Sequence, residues 1–288
     1  MFEGFERKRI EGAGAEINLV QGGSGPPLLL LHGYPQTHAM WHKIAPRLAE
    51  RFTVVATDLR GYGDSSKPQS DETHTPYSKR ATAQDQVDVM AKLGFERFSV
   101  AGHDRGGRVT HRMALDHPKR IERAAVLDIA PTHKVFAATD KALATAYYHW
   151  FFLIQPYDLP ERLIGNDPEY YLNFSMSRFG RNADAFSPEA KAEYIRCFSD
   201  PATIHASCED YRAAASIDLE HDETDMATKV DCPLLVLWGS NGFVGKAYDV
   251  LAVWRERAAD VRGQALDCGH FLPEERPDET AAALLGFF

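Results

Sequence analysis

The stretch SVAGHDRGGRVTHRMA, residues 99–114, carries the most information about the fold. A short apolar run at 98–101 meets Gly102-His103-Asp104-Arg105-Gly106-Gly107, and a helical pattern follows over 106–115. Strand, sharp turn and helix in that order, with glycine two places before and two places after the central residue, form a nucleophile elbow. Small flanking residues let a strained turn pass close to neighbouring backbone. The helix behind it aims its positive end at the Asp104 side chain and favours an anion there. The central residue is Asp where such elbows usually carry Ser, and the residue type selects the chemistry. A carboxylate is already ionised at neutral pH and can displace a leaving group from saturated carbon, leaving an alkyl ester on the protein. Water must then cleave that ester with the help of a general base, normally His. An Asp that merely caps the following helix is the plainer alternative.

Outward from the elbow, further apolar runs at 27–31, 53–56, 124–127, 233–238 and 263–266 read as buried parallel strands. Helical patterns at 40–49, 82–93, 247–258 and 281–285 alternate with them. Such alternation predicts an α/β fold built on a mostly parallel, doubly wound sheet. It breaks once, where roughly a hundred residues, too many for a structureless loop, separate Asp128 from Cys232. They are rich in aromatics and helix formers, as in TAYYHWFFLI and PEYYLNFSMSRFG. A helical cap inserted before the penultimate strand is expected, over residues 134–227, with a core made of 1–133 and 228–288. Ligands of open α/β sheets bind at the carboxyl ends of the strands, so the cap would form a lid over that crevice.

The 288 residues include 32 Lys+Arg and 41 Asp+Glu, a formal net charge of −9. So acidic a chain has no bulk attraction to nucleic acid or to an anionic membrane. An anionic substrate would therefore need a local cationic device. The N-terminal MFEGFERKRIEGAGAEINLV mixes charges with apolar residues and has no signal-peptide core. Cys197, Cys208, Cys232 and Cys268 form neither a CxxC pair nor a metal-knuckle pattern. A reduced cytoplasmic protein without disulfides is expected.

With these motifs in view, the chain resembles α/β-hydrolases of the haloalkane dehalogenase and epoxide hydrolase branch, and among them the haloacetate (fluoroacetate) dehalogenases. The resemblance runs through LLLHGYPQTHAMWHKIAPRLA, DLRGYGDSSKP, AGHDRGGRV, the HW of the cap and DCGHFLPEERP. It implies the α/β-hydrolase fold, a hydrolytic dehalogenase acting on a small anionic haloacid, no metal or organic cofactor, and a homodimer. His270, on the loop after the last strand, matches the general base. Many relatives carry the base's acid partner after the strand at 234–238, but Trp238-Gly239-Ser240-Asn241-Gly242-Phe243 holds no acid. Asp128 matches the alternative position; a turn-capping Asp is the plainer reading of it. The resemblance also assigns an oxyanion hole to the backbone N–H groups of Tyr34 and Arg105.

Arg105 and Arg108, three apart, share one face of the helix beside Asp104. They could be a salt-bridged surface face. Beside an anionic nucleophile they could instead offset the repulsion of a substrate carboxylate and orient it bidentately. The resemblance further implies that His149, Trp150 and Tyr211 receive the halide, although an aromatic stripe is more simply cap packing. An epoxide hydrolase, which uses the same Asp and cap tyrosines, is the alternative enzyme.

Overall fold

A computed structural model describes residues 1–288, the side chain of Ala183 excepted. Its eight strands are β1 (Glu6–Glu11), β2 (Glu16–Gly22), β3 (Pro27–Leu31), β4 (Thr53–Thr57), β5 (Phe98–His103), β6 (Ile121–Leu127), β7 (Leu234–Gly239) and β8 (Val261–Leu266). They form one sheet in the order β1-β2-β4-β3-β5-β6-β7-β8. The strands from β4 across to β8 pair in parallel, whereas β1–β2 and β2–β4 are antiparallel. The central strands are the continuous apolar runs, such as PLLLL and LLVLWG, covered on both faces.

Several elements differ from the sequence expectation, each for a physical reason. β1 and β2 were not anticipated: β1 reads ERKRIE, half-exposed at the sheet edge, so it presents no apolar run. β8 was expected to be buried, yet it is the opposite edge strand and mostly exposed. The helix expected at 40–49 is a 3-10 turn, His38–Trp41, followed by the short helix Ala45–Leu48. Pro46 lacks the N–H that a continuous helix would require there. The helix at 247–258 is likewise two, Phe243–Ala247 and Val250–Arg255. Tyr248 is extended between them, and the Asp249 side chain accepts from the Ala252 N–H to start the second. The last helix is longer than expected, Pro277–Phe287.

Eight α-helices and no strand lie between β6 and β7 among the described residues, from Thr132–Ala137 to Ile217–Thr224. Among the described residues no helix is long and apolar enough to cross a membrane. Parallel pairing brings the carboxyl ends of β3, β5, β6 and β7 to one edge. His103 of β5 stands opposite Leu127 of β6, so Asp104 and Asp128 leave the sheet side by side. At the elbow the backbones nearly touch. A Cβ on Gly102 would strike the Gly106 carbonyl, and one on Gly106 would strike the carbonyls of His32 and Leu31.

Gly→Ala inside a helix normally stabilises by about 1 kcal/mol. Gly106→Ala is expected to destabilise instead, by about 1–3 kcal/mol, because the clash is with backbone that cannot rotate away. The midpoint of urea unfolding measures this.

Candidate active site

Asp104 follows β5 and precedes the helix Arg105–Asp116 with φ +47° and ψ −113°, a conformation L-residues rarely adopt. Such strain persists only where the surroundings over-determine it. Its carboxylate does not cap its own helix, so the capping alternative fails. Oδ1 accepts a hydrogen bond of 2.9 Å from the Tyr34 N–H, in the turn after β3. The residue is only 7% exposed. Burial alone would raise its pKa, but the positive fields of His270, His103, Arg105 and Arg108 bring it down to about 2. Asp104 is therefore a desolvated, ionised carboxylate.

His270 lies on the loop after β8. Its Nδ1 is 2.6 Å from Asp128 Oδ2, and its Nε2 is 3.8 Å from Asp104 Oδ2. A carboxylate can only accept, so a proton sits on Nδ1, and Nε2 is the nitrogen that faces Asp104. Asp128, at φ +53° just past β6, accepts at Oδ1 from the Gly239 N–H at 2.9 Å. The last residue of β7, just before the acid-free loop, thus serves the partner acid with a backbone donor. Burial would lower the His270 pKa, but the Asp128 hydrogen bond and charge, with the Asp104 charge behind them, raise it. His103 packs its ring 4.4 Å from that of His270 and donates Nε2–H to the His270 carbonyl at 2.7 Å.

These groups open into a cavity of about 230 Å³. Asp104, Asp128 and His270 line it, and so do Tyr34, His149, Trp150 and Tyr211. The structure therefore brings together the candidates from β3, β5, β6, the helical insertion and the β8 loop. Several polar atoms in this wall are buried without a partner: Tyr34 Oη, His149 Nδ1 and Tyr211 Oη. Buried polar groups are normally satisfied, so a wall with three unspent ones is poised for a ligand. Burial brings the His149 pKa down to about 3, so its ring is neutral.

The two arginines are placed less directly than their spacing suggested. Both are buried, at 0% and 4% exposure, and are outside the cavity lining. Their guanidinium carbons stack on cavity rings, Arg105 4.2 Å from the centroid of Tyr211 and Arg108 4.5 Å from that of Trp150. Neither is a surface face. Arg105 donates Nε–H to Asp210 Oδ2 at 2.6 Å and an Nη2–H to the Asp210 carbonyl at 2.8 Å. Arg108 donates from Nη1 to the Ala130 carbonyl and to Thr132 Oγ1. Arg105 Nη1 and Arg108 Nε remain without partners.

Sequence reasoning missed Asp210. It holds Arg105 in place, is itself held by Lys79 and by the Tyr62 hydroxyl at 2.9 Å, and ionises well below the usual carboxylate range, burial being outweighed by Arg105 and Lys79. Its only sequence signal was its place beside Tyr211 in EDYR. Also missed were Arg178, Arg181 and Lys246, three exposed cations that line the cavity. Arg178 and Arg181 are three apart at the end of the cap helix Pro168–Phe179, but Lys246 lies 65 residues further on, and no local pattern unites it with them.

A mostly parallel sheet with an acid at a strand–helix elbow, a histidine and a second acid at its strand ends defines a hydrolase of the α/β class. The chain matches the alpha/beta hydrolase fold family over residues 26–277 and belongs to it. Among characterised relatives, a fluoroacetate dehalogenase from Burkholderia sp. is 50% identical over 100% of this chain and 95% of its own. A soluble epoxide hydrolase from Corynebacterium sp. strain C12 is 37% identical, covering 96% and 94%. A crystal structure of a protein assigned to the α/β hydrolases from Nostoc sp. PCC 7120 superposes with a TM-score of 0.99 at 66% identity, covering 100% of this chain and 99% of that one.

The triad geometry gives a direct test. His270 should titrate above the ordinary histidine value of about 6.5, and Asp104→Asn should lower it by removing a negative charge 3.8 Å away. Histidine NMR titration of both proteins reads the difference; an unchanged pKa would contradict the coupling.

Proposed function

We propose that this enzyme is a haloacetate dehalogenase that converts fluoroacetate or chloroacetate to glycolate and halide through an ester on Asp104. The observation that carries the reading is the pair of buried guanidinium groups beside an ionised Asp104, each with one buried nitrogen that has no partner. A substrate carboxylate about 5 Å from Asp104 would be repelled by about 3 kcal/mol at an effective dielectric of about 20. Arg105 Nη1 and Arg108 Nε offset that repulsion and orient the anion. The cavity, at about 230 Å³, falls below the roughly 300 Å³ at which pockets for drug-sized ligands begin, which suits a two-carbon acid.

In this reading Asp104 Oδ2 attacks the methylene carbon and the carbon–halogen bond breaks. The halide leaves toward His149, Trp150 and Tyr211, and the unpartnered His149 Nδ1 and Tyr211 Oη replace part of its hydration. Water then attacks Asp104 Cγ and gives its proton to His270 Nε2. The oxyanion forms on Oδ1, where the Tyr34 N–H already donates and the Arg105 N–H, in the free first turn of its helix, is the second donor. Collapse of the tetrahedral centre expels the glycolate oxygen, which takes the proton from His270. Asp104 is regenerated, and one proton is released per turnover. Alkylation removes the Asp104 charge, and with it part of what holds the proton on His270, so the ring becomes a free base when the ester needs one.

A second reading, epoxide hydrolysis, is favoured by Tyr147 and Tyr211, which both line the cavity. Incubation with chloroacetate and with styrene oxide separates the two by release of chloride or of diol.

His270→Asn should trap a carboxymethyl ester on Asp104 with chloroacetate, visible as an intact-mass increase; a folded variant with no adduct would contradict the route. Arg108→Ala should lower kcat/KM for chloroacetate by about a hundredfold, the loss of a charged hydrogen bond of about 3 kcal/mol. The neutral chloroacetamide should be far less affected. Equal losses on the two substrates would remove Arg108 from carboxylate recognition.

A further inference from the structure

The backbone that carries His270 has an unusual set of partners. Glu275, on the short helix Leu272–Glu275, turns its carboxylate back toward the loop. Oε2 accepts from the Gly269 N–H at 2.9 Å and Oε1 from the Phe271 N–H at 2.9 Å. These are the amides on either side of His270. Oε2 also accepts from the Arg181 N–H at 3.0 Å, on the segment that follows the cap helix Pro168–Phe179. The amide of His270 itself donates to the Phe179 carbonyl at 3.1 Å. Three consecutive amides of the base loop are therefore tied down, two by one carboxylate and one by the cap residue two places before Arg181.

The clamp extends further. The Arg181 side chain donates to the Asn241 carbonyl at 3.2 and 3.0 Å, two residues after Gly239, the end of β7, whose N–H holds Asp128. Gly269 also packs against the cap without room for a side chain, since a Cβ there would meet the Phe179 carbonyl and the Arg181 amide. Cap and base loop thus meet at Glu275, and the Arg181 side chain links them to the loop after β7. Three N–H groups converge on its two oxygens, which calls for a group that only accepts. An ionised carboxylate fits, whereas an amide would turn its own N–H₂ toward one set of donors.

We propose that Glu275 is a positioning residue for the hydrolytic half of the reaction: by binding the amides on both sides of His270 and that of Arg181, it holds the imidazole in line with Asp104 and locks the cap onto the base loop. The inference rests on the covalent route proposed above, in which His270 acts only after the ester has formed. Alkylation of Asp104 does not need the base, so loss of Glu275 selectively slows the second step. The negative charge of Glu275 also favours the proton on His270, so its removal lowers the pH at which the base becomes free.

The test is rapid-quench intact-mass measurement with chloroacetate on wild type, Glu275→Gln and His270→Asn, with a kcat–pH profile for the first two. In Glu275→Gln, ester formation should stay within about twofold of wild type, while ester hydrolysis and kcat fall about tenfold or more, the scale of a misaligned base. The acidic limb of kcat should move to lower pH. A merely structural loss would reduce the active fraction without building up ester or moving the limb. If the Gln variant does not fold, Glu275→Asp is read in the same way, with milder ester accumulation expected because the charge is kept but the reach is shortened. A folded variant that clears the ester at the wild-type rate overturns the proposal, and so does failure of both variants to fold, which would make Glu275 scaffold alone. Absence of adduct in His270→Asn would instead overturn the covalent route itself.

Discussion

A carboxylate that is both buried and charged is the constraint around which this molecule is arranged. Desolvation would protonate Asp104 unless the surroundings supplied positive potential, and they do so from several directions. The Tyr34 N–H donates to it, His270 faces it at 3.8 Å, and Arg105 and Arg108 stand on the helix that begins beside it. The backbone at φ +47° keeps the side chain from turning back to cap that helix. Each requirement reaches outward: Gly102 and Gly106 allow the elbow to close, Asp128 fixes the tautomer of His270, and Asp210 with Lys79 holds Arg105.

The same constraint explains how an acidic protein would accept the anion proposed as its substrate. The net charge of −9 disfavours extended polyanions, but potential inside a low-dielectric cavity is set by near neighbours. Arg105 and Arg108 dominate within, and Arg178, Arg181 and Lys246 line the exposed part of the cavity. Arg105 is itself largely neutralised by Asp210, so its free Nη1 acts as an oriented donor more than as a bare charge.

Much of this was legible in the sequence because it depends on local order. The elbow, the apolar central strands and the long helix-rich insertion each follow from residues close in the chain, and Asp104 and His270 follow from strand-end positions. What was illegible depends on tertiary context. β1 is a mostly charged edge strand, and its burial pattern exists only once β2 lies beside it. Asp210 and Glu275 act on residues whose proximity the fold creates, Asp210 on an arginine 105 residues away and Glu275 on the amide of Arg181 as well as its near neighbours. The stacking of Arg105 and Arg108 on Tyr211 and Trp150 could likewise not be read from their i, i+3 spacing.

The central claim is that Asp104, and not water, attacks the substrate. A single turnover with excess enzyme in ¹⁸O-water tests it most directly. The account predicts that the label enters the Asp104 carboxylate, found by mass spectrometry of the peptide that contains it, while the first glycolate released carries none. Label in that first glycolate, with an unlabelled Asp104, would contradict it.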